Sequence, residues 1–350
     1  MHSSLQASPV EPVDLLTTEQ LKSAWLRGET VEFGDPALAR TSMPFRATFF
    51  PAGFAVTLSS NSADVLDAAT RSWGTFKKLF ETEPLEIKIG VSATESEECP
   101  PTPVCRVRDH ISTNIADGEN FAVQDHSQGY SLVWVTTAAL RHGEYFRYFF
   151  LDSTAMSAIA ARYALGVHAA CVTWDKAGIL LCGESGAGKS TLAYACARAG
   201  WTYVTDDGSF LVNGRDDRLV VGNSALVRFR PTARALFPEL CELNVMERAG
   251  VGKPSIELAT EKLPSFKTSN TATVRQIVFL KRGGPVQELA VFPTAVARHY
   301  MLQQVHSMPY LAALKLETVD HLLQLGAWEL RYNDLDWATE RLELLAREGQ

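Results

Sequence analysis

The sequence predicts an α/β core over residues 151–350, preceded over residues 1–150 by a mixed, mostly antiparallel α+β unit. Three observations carry that division. An apolar run, GILLC at 178–182, leads straight into a glycine-rich octapeptide, Gly183–Ser190. KSTLAYACARAG follows with helical spacing, and WTYVTDD follows that as a short apolar strand ending in two acids. The first 150 residues instead read as short strands with few helices, and they hold no chemical motif. A chain of 350 residues suits two units of ordinary size, at roughly 150 residues each.

Taken in order, TTEQLKSAWLRG is a helix with Thr17 as N-cap. FRATFFPAGFAVTLSS is a hairpin turning at Pro51–Gly53. SADVLDAATRSWGTFKKLF is an amphipathic helix starting near Ser62, LEIKIGVSA a strand, and CPPTP a rigid loop. NFAVQDHSQGYSLVWVTT is a second hairpin, turning at His126–Gly129, and EYFRYFFL reads as a strand. DSTAMSAIAARYALG is a helix capped by Asp152 or Ser153. GVHAACVTW and GILLC form a hairpin around Asp175–Gly178, the second strand entering the glycine-rich loop. The helix after the loop ends at Gly200, a residue suited to the left-handed position past a helix. SFLVNGRDDRLVV is another hairpin, and PTARALFPEL is a short helix opened by Pro231. Residues 245–272 read as a long polar loop. VRQIVFL is a strand, PTAVARHYMLQQV and MPYLAALKLETVDHLLQLG are helices, WELRY is a strand, and DLDWATERLELLARE closes the chain as a helix.

Composition narrows the functional classes. A net charge of −7 argues against a nucleic-acid partner, because a reader of phosphate backbones carries a basic excess. No run of about 18 apolar residues is present to span a membrane. The opening MHSSLQASPVEPVD lacks the basic and apolar stretches of a signal peptide. None of the six cysteines forms a CxxC pair or a zinc-ligand cluster. Cys171, Cys182 and Cys196 fall in apolar runs and are expected as free core thiols, which fits a reducing cytoplasm.

The octapeptide Gly183-Glu184-Ser185-Gly186-Ala187-Gly188-Lys189-Ser190, with Thr191 after it, matches G-x-x-x-x-G-K-[ST]. Each residue type has a reason. The three glycines permit positive φ and close approach of backbone to phosphate oxygens. Successive amides then line one concavity that binds an anion, and the following helix adds its positive end. Lys189 supplies a cation to the β/γ phosphates and the Ser190 hydroxyl can bind Mg²⁺. The preceding strand and following helix are the context this motif requires. ATP carrying Mg²⁺ is therefore the expected ligand.

A triphosphate site also needs an acid at a strand end. Asp206 and Asp207 end WTYVTDD soon after the loop helix. Adjacent strand residues point to opposite sides, so one carboxylate can take Mg²⁺ while the other serves as general base. Such early acids, with no Leu-Ser-Gly-Gly-like segment, argue against a transporter ATPase. His168 lies in GVHAACV, near these elements. Arg228 and Arg230 could clamp a phosphate or an acidic acceptor, and Lys253 could close over nucleotide.

VHAACVTWDKAGILLCGESGAGKSTLAYACARAGWTYVTDD resembles the catalytic core of HPr kinase/phosphorylase. The resemblance is strong over about residues 165–210. The tail, with VRQIVFL and ELRYNDLDWATERLELL, looks like the broader group of HPr-kinase-related bacterial proteins. The resemblance implies a P-loop kinase core of the HPr kinase / phosphoenolpyruvate carboxykinase type and ATP-dependent phosphorylation of a protein serine. By position it makes Lys189 the holder of the β/γ phosphates, Ser190 a metal ligand, Asp206 the base, Asp207 a support of the metal site, and His168 a neighbour of the transferred phosphate.

The chain departs from the HPr enzymes at three places. Thr191 stands where they have Glu, LVRFRPTARALFPEL replaces Arg-Gly-Leu-Gly, and a Pro-Gly-Arg-Asn-like segment is absent. These argue against HPr as acceptor and against the reverse phosphorylase reaction. The expected partner is a protein or peptide hydroxyl; related kinases also modify ribosomal peptides. The resemblance leaves room for a homo-oligomer. A nucleotide-binding regulator without transfer and a small-metabolite kinase are the other two readings.

Overall fold

The computed structural model describes residues 17–28, 41–245, 254–263 and 265–348. Lys253, raised above as a residue that could close over nucleotide, lies outside them. The protein is a mixed α/β chain built on two large sheets and one small one.

The first sheet holds β1 (Phe45–Phe49), β2 (Val56–Ser60), β3 (Leu85–Ser92), β4 (Val104–Arg108), β5 (Ile111–Ile115), β6 (Phe121–Asp125) and β7 (Tyr130–Thr136) in the order β1-β2-β3-β7-β6-β5-β4. Pairing is antiparallel except at β2–β3 and β3–β7. Helix α1 (Thr18–Leu26) opens as expected. Thr17 Oγ1 accepts from the Gln20 amide at 3.3 Å, while Gln20 Oε1 accepts from the Thr17 amide at 2.8 Å, a reciprocal capping box. Helix α2 (Ala63–Trp73) is shorter than the sequence suggested. It stops at Gly74, so the following Thr75–Phe80 leaves the helix.

The strand expected over EYFRYFFL is helical. Helices α3 (Thr137–Arg141) and α4 (Gly143–Phe146) run into a π-helical turn, Arg147–Asp152, and then into α5 (Ser153–Arg162). The aromatic richness that reads as a strand conceals a helical repeat: Tyr145 and Phe146 recur as Phe149 and Phe150, and all four are buried. Asp152 does not cap α5; its carboxylate accepts from the Trp73 indole at 2.9 Å. Ala155, Ala158 and Ile159 of α5 pack into the core of the first sheet.

The second sheet holds β8 (Ala164–Val167), β9 (Ala170–Trp174), β10 (Ala177–Cys182), β11 (Thr202–Thr205), β12 (Ser209–Val212), β13 (Leu219–Val221), β16 (Lys267–Thr268), β17 (Thr271–Arg282), β18 (Glu288–Val291), β19 (Val305–His306) and β20 (Trp328–Tyr332). Its main path is β16-β11-β9-β10-β17-β13-β12-β8-β19, with β20 beside β17 and β18 beside β20. β14 (Leu226–Phe229) and β15 (Ile256–Ala259) form a separate antiparallel pair. The long loop expected over 245–272 is therefore interrupted by β15 and β16. GVHAACVTW is two strands rather than one, with His168 in the bend between β8 and β9. PTARALFPEL forms two 3₁₀ turns, Pro231–Ala235 and Pro238–Leu240, because Pro238 has no amide to continue a helix.

Helices cover both faces. Alternate residues of β10 serve opposite cores: Ile179 and Leu181 meet α6 (Lys189–Arg198), α9 (Leu335–Glu348) and the β14–β15 pair, whereas Leu180 and Cys182 meet α7 (Thr294–Gln304) and α8 (Ala312–Leu323). Burial on both faces explains the unbroken apolar run of GILLC. Cys171, Cys182 and Cys196 are buried free thiols, and burial pushes each up to about 12. Among the described residues no helix is long and apolar enough to cross a membrane.

Candidate functional site: a cleft at one edge of the second sheet

Strand direction gathers the site. β9 is antiparallel to both β10 and β11, so β10 and β11 run the same way and end at the same edge. β9 begins at that edge, directly after His168. β17 is parallel to β10, and β20 to β17, so Arg282 and Tyr332 end there too. His168, the loop 183–188, Asp206, Asp207, Arg282 and Tyr332 thus collect beyond one edge, the place where open α/β sheets bind ligands. A cleft of about 460 Å³ lies there, lined by the loop from Ser185 to Thr191, both aspartates, His168, Arg228, Arg230 and Arg282.

The loop has the conformation its glycines permit. Gly183, Gly186 and Gly188 have φ of 148°, 95° and 96°. A Cβ at Gly188 would sit 2.3 Å from the Tyr332 hydroxyl, and one at Gly183 would sit 3.0 Å from the Ala187 Cβ. The Tyr332 hydroxyl donates to the Ala187 carbonyl at 3.2 Å, and the Ala187 amide donates to Glu184 O at 3.0 Å. Helix α6 starts at Lys189, so its first-turn amides open on the cleft. Glu184 is exposed at the loop apex, and Thr191 lines the cleft one residue beyond Ser190.

Lys189 is buried and folds back over the loop, donating to the carbonyls of Gly183 at 2.7 Å and Glu184 at 3.3 Å. Burial lowers its pKa; the charges of Asp207 and Asp206 oppose that shift. Asp206 is also buried. Burial and the neighbouring Asp207 raise it to about 6, against hydrogen bonds from Ser190, the Arg228 amide and Tyr203. Tyr203 Oη lies 3.0 Å from one carboxylate oxygen and the Arg228 amide 3.1 Å from the other. Among the described residues, Lys189 and Asp206 are the only buried lysine, arginine, aspartate or glutamate. One cleft therefore holds a buried cation and a buried anion.

The two aspartates have different surroundings. Asp206 meets the Ser190 hydroxyl, whereas Asp207 has an exposed side chain with Oδ1 3.2 Å from His168 Nδ1. Arg228 and Arg230, both on or just past β14, also differ. Arg228 Nε donates to Glu257 Oε1 on β15 at 2.7 Å, and this carboxylate overcomes the cost of burial to raise the arginine's pKa. Arg230 is exposed and reaches Ser185 Oγ at 3.4 Å.

No family model matches the chain, and no curated protein does. Among solved structures it is similar to the Hpr(Ser) kinase/phosphatase from Coxiella burnetii, at 16% identity over 52% of this chain and 94% of that one, with a TM-score of 0.29. So distant a likeness carries no weight, and the function must be read from the cleft.

Three features of the cleft were not singled out in the sequence. Arg282 ends an apolar strand as Asp206 does, and that shared grammar was a usable signal. Tyr332 steadies the loop from 145 residues away, which no local pattern announces. The π-helical turn brings Tyr148 to the cleft and sets Arg147 3.8 Å from Glu257, joining the first half of the chain to the Arg228 support.

Proposed function

We propose that the chain is an ATP-dependent phosphotransferase whose acceptor is a hydroxyl, most simply a serine, of a protein or peptide. The observation that carries this reading is the pair of buried opposite charges, Lys189 and Asp206, beside a glycine loop with three positive-φ positions. Burying both charges is costly, and an anionic ligand that needs the cation and a proton acceptor repays it. In this reading residues 151–350 form a P-loop kinase core of the HPr kinase / phosphoenolpyruvate carboxykinase type. Residues 1–150, with α5 packed on them, form an accessory unit that meets the acceptor. The protein acts in the cytoplasm, without nucleic acid or membrane.

The chemistry follows from the residues. Loop amides and the α6 N-terminus receive phosphate oxygens, and Lys189 exchanges its carbonyl partners for the β/γ phosphates. Mg²⁺ fits the all-oxygen donor set of Ser190 and an aspartate. It would be held jointly by these groups and the nucleotide and would neutralise phosphate charge. Asp206 accepts the proton of the attacking hydroxyl; its pKa of about 6 suits a base working near neutrality. Asp207 then supports the metal, and His168 orients its carboxylate. The opposite division of labour is favoured by one observation, the Ser190 bond to Asp206.

The test is transfer from γ-labelled Mg·ATP into cell extract by the native chain, Lys189→Ala, Asp206→Asn and Asp207→Asn. Label on one macromolecule, lost in Lys189→Ala, is the expected result. The aspartate whose loss lowers kcat at unchanged Mg²⁺ half-saturation is the base; the one whose loss raises that half-saturation holds the metal. Tight nucleotide binding with no transfer by the native chain would identify a regulator instead. Label found only on a small molecule would identify a metabolite kinase.

A further inference from the structure

We propose that Arg230 is an arginine finger supplied by the chain itself, engaging the transferred phosphoryl group in the transition state. This rests on the phosphotransferase reading above. The cations around the loop divide by what already holds them. Lys189 is bound to two loop carbonyls, Arg228 is committed to Glu257, and Arg282 stands at the α6 end of the loop, beside Gly188. Arg230 meets no carboxylate within ion-pair distance among the described residues. It is exposed, and its guanidinium reaches Ser185 of the glycine loop.

The backbone fixes where this arginine stands. Phe229 before it is buried in the core, and Pro231 after it holds the chain extended, with Arg230 at φ −71° and ψ 150°. Its carbonyl accepts from the Ala233 amide at 2.9 Å. A planar, permanently charged fork is thus delivered on a short anchored stem over Ser185 of the glycine loop. From that place in the cleft lining the fork can meet charge that develops on equatorial phosphoryl oxygens as transfer proceeds.

The step balances without another reactant. The acceptor oxygen forms a bond to the γ-phosphorus as the bond from that phosphorus to the β,γ-bridging oxygen breaks. That bond's electrons leave with the nucleoside diphosphate, and the acceptor's proton passes to an aspartate. Arg230 donates two N–H bonds to the transferring group and neither gains nor loses a proton.

Arg230→Gln and Arg230→Lys test this, because an exposed side chain can be changed without opening the core. Two readouts apply: nucleotide affinity by equilibrium titration, and kcat for both protein labelling and Mg·ATP hydrolysis. The expected result is a loss of roughly 10³-fold in kcat for both variants, with affinity within about threefold of native, since a lysine lacks the bidentate fork. Unchanged kcat, a loss confined to affinity, or full rescue by Arg230→Lys would overturn the proposal. So would a native chain that binds nucleotide but neither labels protein nor hydrolyses ATP. If the native chain hydrolyses ATP but labels no acceptor, the protein-kinase reading falls while the finger is still decided by the hydrolysis rate.

Discussion

The two large sheets bury polar side chains in opposite ways. The first buries neutral ones, some closed into a network and others, such as Ser92 Oγ and Thr154 Oγ1, without a partner among the described residues. Gln124 donates to Ser131 Oγ and to the Thr154 carbonyl, each at 2.9 Å, and accepts from Ser157 at 2.6 Å; Ser112 pairs with His126 at 2.8 Å. The second buries a lysine and an aspartate beside an open cleft. A buried Ser–His pair inside a closed network is architecture. A lysine and an aspartate buried beside an open cleft are costlier, even with loop carbonyls around the one and three donors around the other. Buried charge beside a cleft thus points to a site where buried neutral polarity does not.

The largest expected effect separates the regions most sharply. Lys189→Ala should abolish transfer, a loss on the order of 10³-fold or more from removing a transition-state cation, while the protein remains folded. A variant that still labels acceptor at the native rate would end the comparison. Asp206→Asn should lower kcat by roughly 10²–10⁴-fold as a base and yet raise stability. The sign follows from its pKa, raised from 3.8 to about 6. The folded state prefers the protonated form, so the penalty is absent below about pH 3.8, grows through about pH 6 and is complete above it. Thermal melts at pH 8 and pH 4 should therefore show a gain at pH 8, at most roughly 3 kcal/mol at 1.36 kcal/mol per unit, that is lost at pH 4. The same pKa predicts kcat declining as pH falls below about 6.

Next in size is Gly188→Ala. A methyl group 2.3 Å from the Tyr332 hydroxyl, on a backbone at φ 96°, should cost about 1–3 kcal/mol and weaken nucleotide binding. Denaturant midpoints and nucleotide titration measure the two effects. Gln124→Leu should cost roughly 1–3 kcal/mol by stranding partners in the first sheet, with kcat unchanged in the folded fraction. A kcat change there would show that the two regions are coupled. Tyr332→Phe is the smallest, about 0.5–1.5 kcal/mol for one neutral hydrogen bond.

Legibility follows the same divide. The loop, helix α6 and the strand ending at Asp206 were readable because their signals are local: glycines for positive φ, an apolar run for a doubly buried strand, acids at its end. The sequence also called for a hairpin before the loop, and β9–β10 is that hairpin. What escaped depends on distant pairing. β14 and β15 find each other across residues 230–255, so the stretch after 245 looked unstructured. The edge hairpin β4–β5 has no clean alternation to announce it, because β4 is exposed along its whole length and the residue β5 buries is a serine. Aromatic side chains at 145–150 mimic a strand until their helical spacing is seen packed in a core.

The π-helical turn at Arg147–Asp152 has an unusual genetic consequence. A π turn holds one residue more than an α turn, so the helices on either side are out of phase by about 100°. Deleting one codon within it would leave the apolar composition nearly intact and restore regular α-helical phase. It would also swing Arg147 away from Glu257 and Tyr148 away from the cleft. The reading frame of a single helical turn in the first half of the chain therefore sets how the first half meets the cleft.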